Sequence, residues 1–315
     1  MSRLRMVFCG TPQFAVPSLK KLSSLPEFEI VGVFTQPDRP RGRGQEVSFS
    51  PVKEVALAAN LPVHQPAKIR APEIEPQLRA LSPEVIVIIA YGQIIPGRLL
   101  DIPRLGWINL HASLLPKYRG AAPIAWAIAK GETQTGNTTM RIDAGMDTGE
   151  MLLQNELAIG ADETAPGLGA RLAETGAELM VETLRGLVAG KLTPRAQDNA
   201  AASYAPILKR EDGLIDWKRT AQEIYNRMRG FSPWPGAFTE FRGQACHLWG
   251  CPALGAVSHD APGTLTSKDG RLEIACGAAT VLELTHVKLE GRKQVSAAEF
   301  ANGARLHPGE RFGKA

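Results

Sequence analysis

Short runs of β-branched and other apolar residues recur along the first two thirds of the chain, separated by segments of helical periodicity. The runs are Met6–Cys9, Ile30–Thr35, Val85–Tyr91, Trp107–Leu110 and Thr138–Ile142, with an antiparallel candidate at Met151–Leu157. Several are continuous and do not alternate with polar residues, which marks strands covered on both faces. Helical segments fall near Phe14–Leu25, Val52–Asn60 and Pro123–Lys130. A long one spans Ala165–Ala189, where Leu168, Leu172, Leu179 and Leu187 share a face. This alternation predicts an α/β chain with a Rossmann-like, doubly wound N-terminal domain, and such sheets build their sites at the carboxyl ends of the strands.

The first strand-to-helix turn, Gly10-Thr11-Pro12-Gln13-Phe14-Ala15, is not G-x-G-x-x-G. A proline stands where a dinucleotide fingerprint needs close backbone approach to pyrophosphate, which argues against a nicotinamide dehydrogenase. Residues 190–208 have the composition of a linker, with Thr193-Pro194, Gln197-Asp198-Asn199 and an Ala/Ser run. Beyond it, Trp217–Gly230 reads as one amphipathic helix, and the remainder as short strands broken by glycines, the pattern of a small barrel. Leu282–Thr285 and Val287–Glu290 alternate out of phase across His286, which predicts a bulge or bend. The domains are therefore expected at 1–189 and 209–315.

Within the fourth run, Asn109 and His111 are two residues apart and point the same way on a strand. Ser113-Leu114-Leu115-Pro116-Lys117-Tyr118-Arg119-Gly120 follows directly. Downstream, Asp143-Ala144-Gly145-Met146-Asp147-Thr148-Gly149 is a glycine-punctuated loop with two carboxylates. Taken singly, each stretch is most often a turn. Together, N-x-H-x-S-L-L-P and D-x-G-x-D-T-G form a specific pair. They resemble the folate-dependent formyltransferases, and the wording SLLPKYRGAAPI is most similar to the branch acting on methionyl initiator tRNA.

That resemblance implies a reaction and a site. The formyl group of 10-formyltetrahydrofolate, as co-substrate, would pass to the amine of initiator methionyl-tRNA, with no metal. The motif positions matching the family's catalytic three are Asn109, His111 and Asp147. Asn109 offers a fixed amide donor to a developing oxyanion. His111 can donate to it or shuttle a proton, and Asp147 can hold the imidazole. Ser113, Leu114, Leu115, Pro116, Gln93, Ile94 and Asp143 would contact the folate. The barrel becomes an OB-like, tRNA-binding domain.

The loop Gln36-Pro37-Asp38-Arg39-Pro40-Arg41-Gly42-Arg43-Gly44 matches the family's T-Q-P-D-R-P-x-G-R-G insertion. By that match Arg39, Arg41 and Arg43 form a mobile cationic arm for phosphates, Arg41 taking the variable place. Lys288, Arg292 and Lys293 are candidate phosphate contacts in the C-terminal part. Net charge is +4, and residues 209–315 hold 15 basic against 12 acidic side chains, a mild tilt compatible with a polyanion.

The four cysteines, Cys9, Cys246, Cys251 and Cys276, form no C-x-x-C pair, and no H-x-x-x-H occurs, so reduced thiols and no metal site are expected. The longest apolar run, Val85–Tyr91, is too short to span a membrane, and the N-terminus reads as a first strand. A cytoplasmic monomer follows as the expectation. Two other readings remain. One is a formyltransferase acting on a nucleotide sugar or purine precursor, which gives no reason for the arginine arm. The other is a tRNA-binding module without catalysis, which gives no reason for an intact Asn/His/Asp set.

Overall fold

The computed structural model describes residues 3–41, 46–268 and 270–313. The chain divides into two compact units. The first comprises 1–123, 134–158 and 168–206, and the second 124–133, 159–167 and 207–315.

The chain begins with β1 (Leu4–Gly10), α1 (Val16–Ser24), β2 (Phe28–Phe34), β3 (Arg39–Arg41), β4 (Glu46–Ser48), α2 (Pro51–Ala58) and β5 (Val63–His64). It continues through α3 (Ile74–Leu81), β6 (Val85–Ile89), α4 (Gly97–Leu100), β7 (Trp107–His111), α5 (Pro123–Ala129), β8 (Gln134–Arg141), β9 (Met151–Ala158) and α6 (Ala165–Val188). The first unit holds a seven-stranded sheet in the order β5-β2-β1-β6-β7-β8-β9. From β5 to β7 every pairing is parallel, and both faces are covered by buried apolar clusters. The expected Rossmann-like sheet is present. Other features differ from expectation, the short elements β3, β4, β5 and α4 among them. β8 already runs antiparallel to β7, with His111 opposite Thr138, so the antiparallel edge is two strands wide. The helix α3 is additional: Pro76 sits in its first turn, where no intrahelical N–H is required, while Ile74 and Leu78 are buried.

In the second unit α7 covers Ala221–Gly230. The expected start at Trp217 is too early. Thr220 caps the helix, accepting from Glu223 N at 3.2 Å while the Glu223 carboxylate accepts from Thr220 N at 2.9 Å. Trp217 is instead a core residue stacked on Phe312 at 5.9 Å. The strands that follow are β10 (Phe238–Phe241), β11 (Gln244–Pro252), β12 (Leu265–Lys268), β13 (Arg271–Ala275), β14 (Val281–Leu289) and β15 (Val295–Ser296), before α8 (Ala297–Ala304). They form an antiparallel sheet, β10-β11-β14-β13-β12 with β15 on β14, an arrangement compatible with an OB-like barrel. The anticipated irregularity lies at Thr285. Trp249 pairs with His286 and Gly250 with Leu284, so Thr285 has no opposite number.

The segment expected as a linker contributes to the first unit as far as Pro206. It pairs Arg195 with Met151 and Tyr204 with Arg119. Among the described residues no helix is long and apolar enough to cross a membrane, and no group of His, Cys, Asp and Glu is arranged to hold a metal ion.

Candidate active site

β7 delivers the two motif residues. Ile108 and Leu110 point into one buried cluster, and Trp107 into the cluster on the other face. By strand alternation Asn109 and His111 lie on the Trp107 face, at the carboxyl end of the strand. No hydrogen bond is made by the Asn109 side chain to any described residue, so its amide is free to donate.

His111 is only 6% exposed. Its Nε2 lies 2.9 Å from the Tyr118 carbonyl oxygen. A carbonyl only accepts, so Nε2 carries the hydrogen and Nδ1 is the nitrogen left for proton exchange. Nδ1 faces Asp147 Oδ2 at 3.6 Å, within ion-pair reach but long for a direct hydrogen bond. The same carboxylate oxygen accepts from the backbone N–H of Gly120 at 2.8 Å.

The turn after β7 makes this possible. Tyr118 adopts φ 61° and Gly120 φ 117°, and Asp147 itself is left-handed at φ 52°. A Cβ on Gly120 would stand 2.7 Å from the Ala205 carbonyl oxygen, so the position requires glycine. The Asp147 loop is closed by Asp143, whose Oδ1 accepts from Gly145 N at 3.0 Å and from Thr148 Oγ1 at 2.8 Å.

Two residues that motif reading passed over complete the arrangement. The Arg119 guanidinium, 2% exposed, donates to Gln197 Oε1 from Nε at 2.9 Å and Nη2 at 2.8 Å. Gln197 Nε2 in turn donates to the carbonyls of Asp147 and Gly149, each at 2.8 Å. Arg119 lies inside the KYRG motif, so its position was visible though its role was not. Gln197 lies in a stretch whose composition says only linker. A cleft of about 490 Å³ is lined by Ile142, Asp143, Thr148, Gly149, Gln197 and Asn199 among others, and neither Asn109 nor His111 is in its lining.

The expected folate residues are placed unevenly. The Ser113 hydroxyl is buried and donates to the Lys117 carbonyl at 2.6 Å. Leu115 packs with Met140 and Met151, while its backbone N–H donates to Thr138 Oγ1 at 3.0 Å. Pro116 follows through a cis peptide bond, and Leu114 is half-buried. Gln93 is committed to the preceding loop, accepting from Ile69 N at 2.6 Å and donating to Pro66 O at 3.3 Å. Ile94 is 92% exposed. This segment therefore offers backbone and apolar surface more than polar side chains.

Of the arginine arm, Arg43 lies outside the described residues. Arg39 and Arg41 are on β3, which pairs antiparallel with β4 through Arg39 opposite Ser48 and Arg41 opposite Glu46. The arm expected to be mobile thus has a ribbon for its flanks. At its base the Asp38 carboxylate pairs with Lys53 and accepts from Gln65 Nε2 at 2.8 Å, and these contacts hold it below the usual carboxylate range. In the second unit, Lys288 on β14 stands opposite His247. Burial first, then Lys288 and Arg210, hold that imidazole below its ordinary pKa. Trp249, on β11 with His247 and 39% exposed, adds aromatic surface that sequence reading did not single out, while Trp234, in a stretch that reads as a rigid entry to the C-terminal part, is 57% exposed. Arg292 and Lys293 are exposed beyond β14.

Comparison with known proteins follows the same lines. Residues 3–184 match the formyl transferase family, and residues 207–305 match the formyl transferase C-terminal domain. A methionyl-tRNA formyltransferase of Solibacter usitatus is 53% identical over 311 residues, covering 99% of each chain. One from Geobacter sulfurreducens is 48% identical across 100% of this chain and 98% of its own. Among solved structures, the sugar 3N-formyl transferase WlaRD aligns with TM-score 0.68 at 20% identity, covering 93% of this chain and 100% of that one. At that identity the likeness concerns the fold alone. Full-length identity near one half, with both family domains present, decides the matter: the chain belongs to the formyl transferase family, and within it to the methionyl-tRNA formyltransferases.

Proposed function

We propose that this chain transfers the formyl group of 10-formyltetrahydrofolate to the amino group of methionyl initiator tRNA, with Asn109, His111 and Asp147 at the reacting centre. The observation that carries this reading is the His111–Asp147 pair at 3.6 Å, beside an Asn109 amide on the same strand face.

An aminoacyl ester amine has a pKa near or below the ~7.7–8.0 of an ordinary α-amino group, so much of it is neutral at cytosolic pH and no strong base is needed. Its attack on the formyl carbon puts negative charge on the formyl oxygen. Asn109 is the group free to donate there. His111 Nε2 is occupied by the Tyr118 carbonyl, so the amine proton leaves by way of Nδ1, directly or through water. Asp147, its carboxylate oriented by the Gly120 N–H, stabilises the imidazolium so formed. The proton is then available to the departing folate nitrogen.

For the co-substrate, the Ser113–Pro116 turn, Gln93, Ile94 and Asp143 supply backbone groups and an apolar edge suited to a flat pterin. For the tRNA, Arg39, Arg41 and Arg43 form the phosphate-binding arm, and Lys288, Arg292 and Lys293 a second cationic surface. In this division of labour 1–189 is catalytic, with the 195–205 strap packed into it, the rest of 190–208 links, and 209–315 binds tRNA. The working form is a cytoplasmic monomer.

The test is an acceptor panel with labelled formyl donor: methionyl initiator tRNA, methionyl elongator tRNA and an amino-sugar nucleotide. Label on the initiator alone is the expected result. Label on the sugar, with neither tRNA modified, overturns the acceptor assignment and retains the chemistry.

A further inference from the structure

Motif reading assigns Gln197 and Arg119 no function, yet together they hold the main chain that carries Asp147. Arg119 is a buried cation whose side-chain hydrogen bonds go to neutral amide oxygens, those of Gln197 and, at 2.9 Å, of Asn199. Because a guanidinium has no acceptor, it fixes which way the Gln197 amide points: the oxygen faces Arg119, and the NH2 group faces away. Both amide hydrogens then meet a carbonyl, one on Asp147 and one on Gly149. Those carbonyls bracket Thr148, so the loop is gripped immediately after its left-handed residue.

The other hold on Asp147 comes from the neighbouring residue of the same turn. Its carboxylate accepts from Gly120 N, and Gly120 follows Arg119. Arg119 is itself locked to the 195–205 strap, its N–H donating to Ser203 O at 2.8 Å and its carbonyl accepting from Ala205 N at 2.7 Å. Main chain and side chain of Asp147 are therefore both referenced to the 119–120 turn, the first through Gln197.

We infer that Gln197, oriented by Arg119, is a positioning residue that sets where the Asp147 carboxylate stands relative to His111, making the strap after α6 part of the active site. The inference rests on the proposed role of Asp147. Gln197→Glu keeps a partner for Arg119 but turns both donated hydrogen bonds into oxygen–oxygen contacts, so it releases the grip on the Asp147 loop with Arg119 still paired.

The experiment measures kcat, both KM values and the thermal midpoint for Gln197→Glu, Gln197→Ala and Asp147→Asn, using full-length protein, 10-formyltetrahydrofolate and methionyl initiator tRNA. The expected result is a kcat lowered roughly 10–100-fold in both Gln197 variants, with KM values little changed and the loss exceeding any loss of folded protein read from the midpoint. Wild-type kcat in Gln197→Glu, with Asp147→Asn slow, overturns the positioning role and leaves the site reading intact. Activity lost only in proportion to folded protein also overturns it. Wild-type kcat in Asp147→Asn removes both.

Discussion

Nδ1 of His111 faces Oδ2 of Asp147 at 3.6 Å, although one residue ends a central parallel strand and the other sits in a loop beyond the antiparallel edge. Strand β8 makes the meeting possible. By running antiparallel to β7 it ends beside the start of that strand, with Arg141 opposite Ile108, and the loop that leaves its carboxyl end folds back to bring Asp147 to His111. The Gly120 N–H then catches the carboxylate.

Gly120 is consequently a position where one methyl group has two effects. Gly120→Ala forces φ 117° on a residue with a Cβ and places that atom 2.7 Å from Ala205 O. A stability loss of about 1–3 kcal/mol is expected from the backbone strain. Thermal melting checks it, and turnover of the folded fraction should fall as well, because the Asp147 donor shifts.

The cysteines should separate by reactivity. Cys9, Cys246 and Cys276 are buried, and burial pushes the thiols of Cys246 and Cys276 up to about 12 and that of Cys9 higher still. Cys251 is exposed. A thiol reagent at pH 8 under native conditions should therefore titrate one thiol quickly, and Cys251→Ser should abolish that fast phase. The remaining three should react only on unfolding.

Glu84 gives a pH signature. Its carboxylate accepts from Arg104 Nε at 3.0 Å and from Arg5 N at 3.2 Å, and these bonds, Arg104 foremost, hold it below the usual carboxylate range. A depressed folded-state pKa stabilises above the unfolded value of about 4.3 and loses that contribution as pH falls through the folded value. Glu84→Gln should therefore be less stable than wild type at neutral pH, with the difference shrinking below about pH 4 in denaturant titrations.

The arginine arm should report through salt. Arg39→Ala and Arg43→Ala should each weaken tRNA use and reduce the salt slope of binding by about 1, with folate binding unchanged. An unchanged slope would leave the arm a bystander.

Much of this molecule could be read in its sequence because the informative signals are local. Continuous apolar runs placed β1, β2, β6 and β7, and the two-residue spacing put Asn109 and His111 on one face. The phase change at His286 located the irregularity that the structure shows at Thr285. What was hidden depends on contacts between distant residues. The direction of β8 is set by the return of the chain and not by the composition of its strand. Trp217 reads as helical until the Thr220–Glu223 cap is recognised and the Phe312 stack is seen. Gln197 carries no local signal at all, because its two carbonyl partners lie in a loop far upstream.

The central claim is that Asn109 and His111 perform the transfer. Single-turnover formylation of methionyl initiator tRNA, with enzyme in excess, tests it for wild type, Asn109→Ala and His111→Ala. Loss of the Asn109 donor should raise the barrier by roughly 2.7–4 kcal/mol, about 100- to 1,000-fold in rate, and His111→Ala should slow transfer at least about tenfold, both with tRNA affinity nearly intact. Wild-type single-turnover rates in both variants would contradict the account.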